Sequence, residues 1–376
     1  MSALLVMLTA LSVAPAVSAE WPHHRGDAAL RGVAQGTLTL PLEPQWSVAL
    51  GARVEGSPIV VGGAVMVGSE DGALRALSAA TGEVLWRRDL GAPIQSTPSR
   101  VGRVIVIGDS AGNVHGLDPK TGASKWRYAT KDKVLGAANT LRTKARTLAI
   151  IGSYDGKVHA IDAATGQGAW THTTDNYVHG APAIASELVV VGGCDGVLHV
   201  LDAPTGVSAG SVTVGPQIGG SAAMVGTLAY VGHYGNRVVA LDLDTGEALW
   251  RYQDRAFPYF SSPAVSDTLV IIGGRDQRVH ALERATGKVR WTYRTRGKVD
   301  ASPVIVGDKV LIGSHDGRLR VLRLKDGEAL WSRDLGAPVL GSPAVVNGQV
   351  IVVSNRGEVR AFRSTVAPPK AKAGPR

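Results

Sequence analysis

The sequence predicts an all-β fold: an eight-bladed β-propeller of four-stranded antiparallel blades, closed by its own N-terminal strand. Three observations predict it. Seven of the eight tryptophans share one register, Trp46, Trp86, Trp126, Trp170, Trp250, Trp291 and Trp331, at spacings of 40, 40, 44, 80, 41 and 40 residues, with Gly210 standing midway in the gap of 80. Asp-Gly and Thr-Gly pairs recur with the same period, which is the length of one four-stranded sheet in a radial array. The last repeat stops before a fourth strand, while Trp46 sits on a strand that no turn precedes.

Taken in chain order, residues 1–19 end in the uncharged apolar run SALLVMLTALSVAPAVSA, with Val17 and Ala19 placed as in a signal-peptidase site. Pro15 interrupts a run that barely reaches spanning length, so a removed signal peptide is expected rather than an anchor. Residues 20–43 form a leader, 44–363 the propeller, and 364–376 a basic tail whose Pro, Ala and Lys content predicts disorder. Cys194 is the only cysteine, so no intramolecular disulfide is available and no cysteine lies near the cleavage site. The expected product is exported, periplasmic or extracellular, soluble without a lipid anchor, and monomeric.

Each unit follows Ser57 to Trp86, SPIVVGGAVMVGSEDGALRALSAATGEVLW, in which short Val/Ile/Leu runs are divided by Gly-Gly, Asp-Gly and Thr-Gly. Four strands and three hairpins are the natural parse. The Asp-Gly turn varies to Gly235-Asn236 and Asp276-Gln277, at positions where a tight hairpin needs positive φ. In the eighth unit the missing strand is supplied by Pro44–Val48, which removes two open sheet edges. The seven tryptophans are read as structural, each docking between neighbouring blades and burying about 150–250 Å².

The formal charge of +9 keeps an anionic polysaccharide or lipid surface open as a partner, although arginines spread over solvent-facing strands explain the same number. Nucleic acid is not expected. The third unit carries extra residues in ANTLRTKARTLAII, placing Arg142, Lys144 and Arg146 on one hairpin tip.

The segments ALDLDTGEALW at Ala240, AIDAATGQGAW at Ala160 and GLDPKTGASKW at Gly116 resemble the tryptophan-docking motif of quinoprotein-like (PQQ-like) β-propeller repeats, and WPHHRGDAALRGV from Trp21 resembles their leader. Two branches of that family matter. One implies a dehydrogenase holding pyrroloquinoline quinone with a calcium-type ion and, in many members, a vicinal disulfide, which a single cysteine forbids. The other, the BamB-type scaffolds of outer-membrane β-barrel assembly, is similar in size, repeat number and export signal. The chain departs from that branch in lacking its lipid-attachment cysteine and its Leu- and Arg-bearing partner loop. The resemblance implies a non-catalytic scaffold with a protein partner in envelope assembly. A quinone-dependent oxidoreductase relative, or a polysaccharide or small-ligand binding protein, are the alternatives.

Comparing units locates the surface. One residue before each first strand, Val54, Ile94, Val134, Val178, Ile218, Tyr259, Val299 and Val339 are apolar and read as structural. The next position varies: Glu55, Gln95, Leu135, His179, Gly219, Phe260, Asp300 and Leu340, which period-two alternation turns toward the central funnel. A second varied ring precedes the Asp-Gly turns, comprising Glu70, Ser110, Tyr154, Cys194, Tyr234, Arg275, His315 and Asn355. Both rings are expected on one rim, the candidate interaction surface.

No catalytic, cofactor or metal residues are assigned. His115, His159, His199 and His280 share a third-strand register, so they are spread around the ring, cannot meet on one metal ion, and are read as polar positions on strand surfaces. His23-His24 is a lone pair of potential ligands. Asp118, Asp162, Asp202 and Asp242, three residues before Thr, are read as caps of local N–H groups. No phosphate-cradling loop or serine elbow is present.

Overall fold

A computed structural model describes residues 20–364, in which thirty-three strands form eight sheets around a central axis. The signal segment and residues 365–376 lie outside the described residues. Blade 1 runs Ile59–Val61, Ala64–Gly68, Ala73–Ser78 and Val84–Asp89, antiparallel and in sequence order from the axis outward. The Asp-Gly turn takes the predicted geometry, with φ of 78° at Gly72 and 65° at both Asn236 and Gln277.

Blade 8 is closed as expected. Leu42–Ala49 pairs antiparallel with Glu358–Ser364, placing Trp46 opposite Ala361 and Val48 opposite Val359. The same bulge that precedes the tryptophan elsewhere falls here between Pro44 and Trp46. This pair extends slightly beyond 44–363 at both ends, so Leu42 belongs to the propeller, and Ser364, expected in the tail, is a strand residue bonded to Gly348.

Six of the seven indoles dock on the turn before the fourth strand of the following blade, Thr-Gly in five cases and Asp326-Gly327 for Trp291. Trp126 Nε1 donates to Ala163 O at 2.9 Å and Trp250 Nε1 to Arg284 O at 2.8 Å. A Cβ on Gly166 would lie 2.6 Å from the Trp126 ring, and one on Gly287 2.6 Å from Trp250. These glycines are therefore required twice, by positive φ and by the ring lying on them. Gly210 supplies no ring, and accordingly nothing lies within 4 Å of a Cβ on Gly246. Trp331 meets no such turn in blade 8 and instead packs edge-on against Phe362 at 5.6 Å.

The leader is part of the propeller rather than a segment beside it. It crosses the inner strands in blade order, with Trp21 bridged to Val60, Pro22 O accepting from Arg100 N, and Ala28 O from Asn139 Nδ2 and Ile184 N. Ala29 O then accepts from Met224, Arg31 O from Val265 and Gly32 O from Ile305, after which Val33–Ala34 pairs parallel with Val304–Val306. Trp21, Leu30 and Leu38 are buried, which supplies the apolar driving force for this path.

Candidate functional site

The rim is built by one hydrogen bond repeated in all eight blades. The N–H of each second-ring residue donates to the carbonyl two residues before the first ring: Glu70 to Arg53, Ser110 to Pro93, Tyr154 to Lys133, Cys194 to Tyr177, Tyr234 to Gln217, Arg275 to Pro258, His315 to Lys298 and Asn355 to Pro338. The two rings are thus fastened side by side. Between them the apolar series from Val54 to Val339 is at most 2% exposed, anchoring the loops from beneath.

All eight first-ring residues line one axial cavity of about 280 Å³, together with His315 from the second ring. His24 of the leader lines it too. The first-strand residues run from rim to leader, as Glu55 lies at the rim and Val60 bonds Trp21, so His24 forms the cavity floor.

The rim is not uniform. From blade 3 to blade 6 it carries a continuous aromatic arc: Tyr177 stacks on Tyr154 at 4.8 Å, Tyr154 Oη lies 2.7 Å from His179 Nδ1, and His179 and Tyr234 both pack against Phe260. Arg275 covers Phe260 at 4.7 Å and binds Asp300 through Nε at 2.9 Å. His315 Nε2 lies 3.0 Å from the other Asp300 oxygen. Burial alone would raise the Asp300 pKa, but the hydrogen bonds from His315 and Arg275 outweigh it and hold the carboxylate below its ordinary range. Burial lowers His179 and pushes Tyr154 up to about 12, so both are neutral at pH 7.

Blade 1 supplies the opposite character, with Glu55 paired to Arg53 at 2.7 Å and Gln95 donating to Glu70 at 3.1 Å. Leu135 and Leu340 line the cavity, while Ser110 has only its backbone role here and Asn355 borders a separate groove with Arg53 and Arg356. Burial raises the Cys194 thiol, which leaves it a poor nucleophile at neutral pH. Outside the cavity, Arg255, Arg275, Arg278 and Arg294 surround exposed Phe257 in a basic groove that the unit comparison missed. Its four arginines occupy four different repeat positions, so no single series of equivalent residues revealed it.

The third-strand histidines are not strand-surface positions. His115, His159 and His280 are buried, and each reaches the aspartate of its own blade's turn, His115 Nε2 lying 2.8 Å from Asp109 and His159 Nε2 3.1 Å from Asp155. His199 does the same with Asp195, and Arg75 and Arg320 take over the role with Asp71 and Asp316. The histidines stay in separate blades. The turn aspartate is thus a buried ion-pair or hydrogen-bond partner as well as a turn residue. Asp118 and Asp162 cap N–H groups at Lys120 and Ala164, as the sequence suggested.

Asp254, Asp276 and His280 come within ligand range of one another, but His280 is committed, with Nε2 on Asp276 and Nδ1 3.0 Å from Tyr252 Oη. Quinone with a calcium-type ion does not fit the cavity's donors: both of its carboxylates, Glu55 and Asp300, are engaged by arginines, and Phe260 is its only aromatic wall apart from histidines.

Eight blades, a leader strapped beneath them and a rim of paired rings define a PQQ-like repeat propeller. The chain belongs to the family described as outer membrane protein assembly factor BamB, whose model matches residues 43–145, 138–258 and 256–366. BamB from Moraxella catarrhalis is 22% identical with a TM-score of 0.73, covering 88% of this chain and 99% of that one. Quinohemoprotein alcohol dehydrogenase from Comamonas testosteroni is 15% identical with a TM-score of 0.78, covering 94% and 82%. The computationally designed Ika8 protein is 18% identical with a TM-score of 0.76, covering 85% and 99%. At these identities the likenesses establish the fold alone. No curated protein sequence matches the chain.

Proposed function

We propose that this protein is an exported, non-catalytic scaffold that uses its rim to hold a protein partner in outer-membrane protein assembly. The observation that carries the reading is the concentration of Tyr154, Tyr177, Tyr234, Phe260 and Arg275 in one arc of a rim whose loops are fixed by a repeated backbone bond. Tyr177 and Phe257 are each 48% exposed, as anchors awaiting a partner would be. A preorganised ring loses little freedom on binding, so several modest contacts sum to useful affinity. With Arg275 held by Asp300, the other three arginines around Phe257, Arg255, Arg278 and Arg294, favour a partner segment that is acidic as well as apolar.

The test is affinity capture from the native envelope with Tyr154→Ala/Tyr234→Ala/Phe260→Ala. Loss of the captured assembly component with an unchanged melting temperature supports the reading. Undiminished capture refutes the rim assignment, and dye-linked alcohol or sugar oxidation after adding pyrroloquinoline quinone and calcium refutes the scaffold.

A further inference from the structure

Six hydroxyl side chains circle the axial cavity between its mouth and its floor: Ser57, Thr97, Ser221, Ser262, Ser302 and Ser342. In five of them the oxygen accepts a backbone N–H from the preceding blade. Ser57 takes it from Ser342 at 2.9 Å, Thr97 from Ser57 at 2.8 Å, Ser221 from Ala181 at 2.8 Å, Ser262 from Ser221 at 2.9 Å and Ser302 from Ser262 at 2.9 Å. Among the described residues none of the six donates to a protein acceptor. A hydroxyl whose lone pair is already engaged offers its O–H, so the belt presents donors to the axis.

His24 Nδ1 has no protein partner, and the next residue, Arg25, is 0% exposed with Nε and Nη1 unpartnered. Only Nη2 is used, donating to Pro263 O at 3.0 Å, and no carboxylate pairs with this guanidinium among the described residues. The one acid that acts on this cation, Asp27, is itself paired with Arg31, so the buried guanidinium leaves positive potential that favours an anion nearby. At the mouth, Glu55 and Asp300 are each neutralised, by Arg53 and by Arg275 with His315, so neither closes the entry to negative charge.

We propose that the axial cavity is a binding site for a small oxyanion, a carboxylate or a phosphate or sulfate, held by the hydroxyl belt above the His24 floor, with the buried Arg25 cation one residue further along the leader. The cavity volume of about 280 Å³ suits a ligand of this size. Binding there is tested separately from the scaffold reading, since Tyr154, Tyr177 and Tyr234 do not line the cavity and only His179 and Phe260 are shared with the arc.

The experiment is calorimetric titration and thermal melting of the full chain with sodium phosphate, sulfate and succinate, each against chloride at equal ionic strength. Saturable heat and a rising melting temperature are expected with at least one of them. Leu135→Glu places a negative charge at the mouth and should weaken that ligand about tenfold or more. Ser342→Ala removes a donor whose oxygen accepts no interblade bond, and should weaken it roughly threefold while the free protein melts unchanged. A response to phosphate and sulfate assigns a tetrahedral oxyanion, and one to succinate assigns a carboxylate; either upholds the site. No response beyond chloride, or an affinity that neither substitution changes, overturns it.

Discussion

Gly206→Ala and Gly246→Ala probe the same turn in adjacent blades, and the first should destabilise the protein far more. Their φ values are +72° and +73°, so the left-handed backbone costs an alanine the same about 1 kcal/mol at each. They differ in what the methyl meets. At Gly206 it runs into the Trp170 ring, whereas at Gly246 nothing lies within 4 Å because Gly210 stands where the indole would be. Overpacking a fixed contact costs about 1–3 kcal/mol, so Gly206→Ala should lose about 2–4 kcal/mol in all against about 1 for Gly246→Ala. For a chain of this length that difference is roughly 1–5 °C in melting temperature. Paired thermal melts, checked by guanidinium midpoints, measure it. Equal losses at the two sites would mean that the indoles do not bear on the turns, and that the blade contacts rest elsewhere.

Gly210→Trp should stabilise by no more than about 1–2 kcal/mol, since Gly210 pairs with Val200 as Trp250 pairs with Ala240 and faces an open socket but stands at φ 159°, which a tryptophan must relax; a lower guanidinium midpoint would refute this. Burial holds His23 at about 4 and His24 at about 3, so the unfolded chain takes up their protons first. Their contribution is complete above the ordinary histidine value of about 6.5 and is lost as pH falls from there toward 4 for His23 and toward 3 for His24. After discounting for each ring's partial access, it should reach about 1–2 kcal/mol per ring. His23→Gln/His24→Gln should flatten the stability slope in that window, whereas Asp71, which its Arg75 hydrogen bond holds below the usual carboxylate range, contributes only to acid loss below about pH 4. Neutralising exposed Arg142, Lys144 and Arg146 should lower the salt needed to elute the protein from an anionic matrix and leave rim capture unchanged, because the hairpin lies on the leader face.

Repetition made the propeller legible. Each tryptophan, turn glycine and buried Val54-type residue could be checked against its counterparts, and ring closure followed from what the ends lacked. The first ring was legible for the same reason, since alternation along a strand is fixed by its pleat. The third-strand histidines were misjudged because alternation indicates which face a side chain takes, not whether that face is covered by the next blade. Their aspartate partners sit four residues earlier in three of the blades and six earlier in blade 2, so the pairing has no constant spacing to read. The leader was legible as a segment but its path was not, for a deeper reason: it occurs once, and its partners at Val60, Arg100, Met224 and Ile305 are inner-strand backbone groups that carry no residue-specific signal.

The leader also explains why the binding features gather at one end. Inner strands leave an unpaired edge toward the axis, and an open axis would expose those edges to solvent and to other chains. Residues 21–34 cover them at one end with bonds to seven successive blades, and Leu42–Ala49 then enters the eighth. The covered end consequently has its backbone groups committed and its apolar side chains, Trp21 and Leu30, buried. Among the described residues no such strap covers the rim end, and there the edge is completed by side chains that differ from blade to blade. A ring of equivalent positions in which Gly219, Phe260 and Asp300 succeed one another is poorly suited to uniform packing, but it can be complementary to a single asymmetric partner. Because the strap fixes the blades from below, that asymmetry is presented on a frame that need not rearrange when the partner arrives.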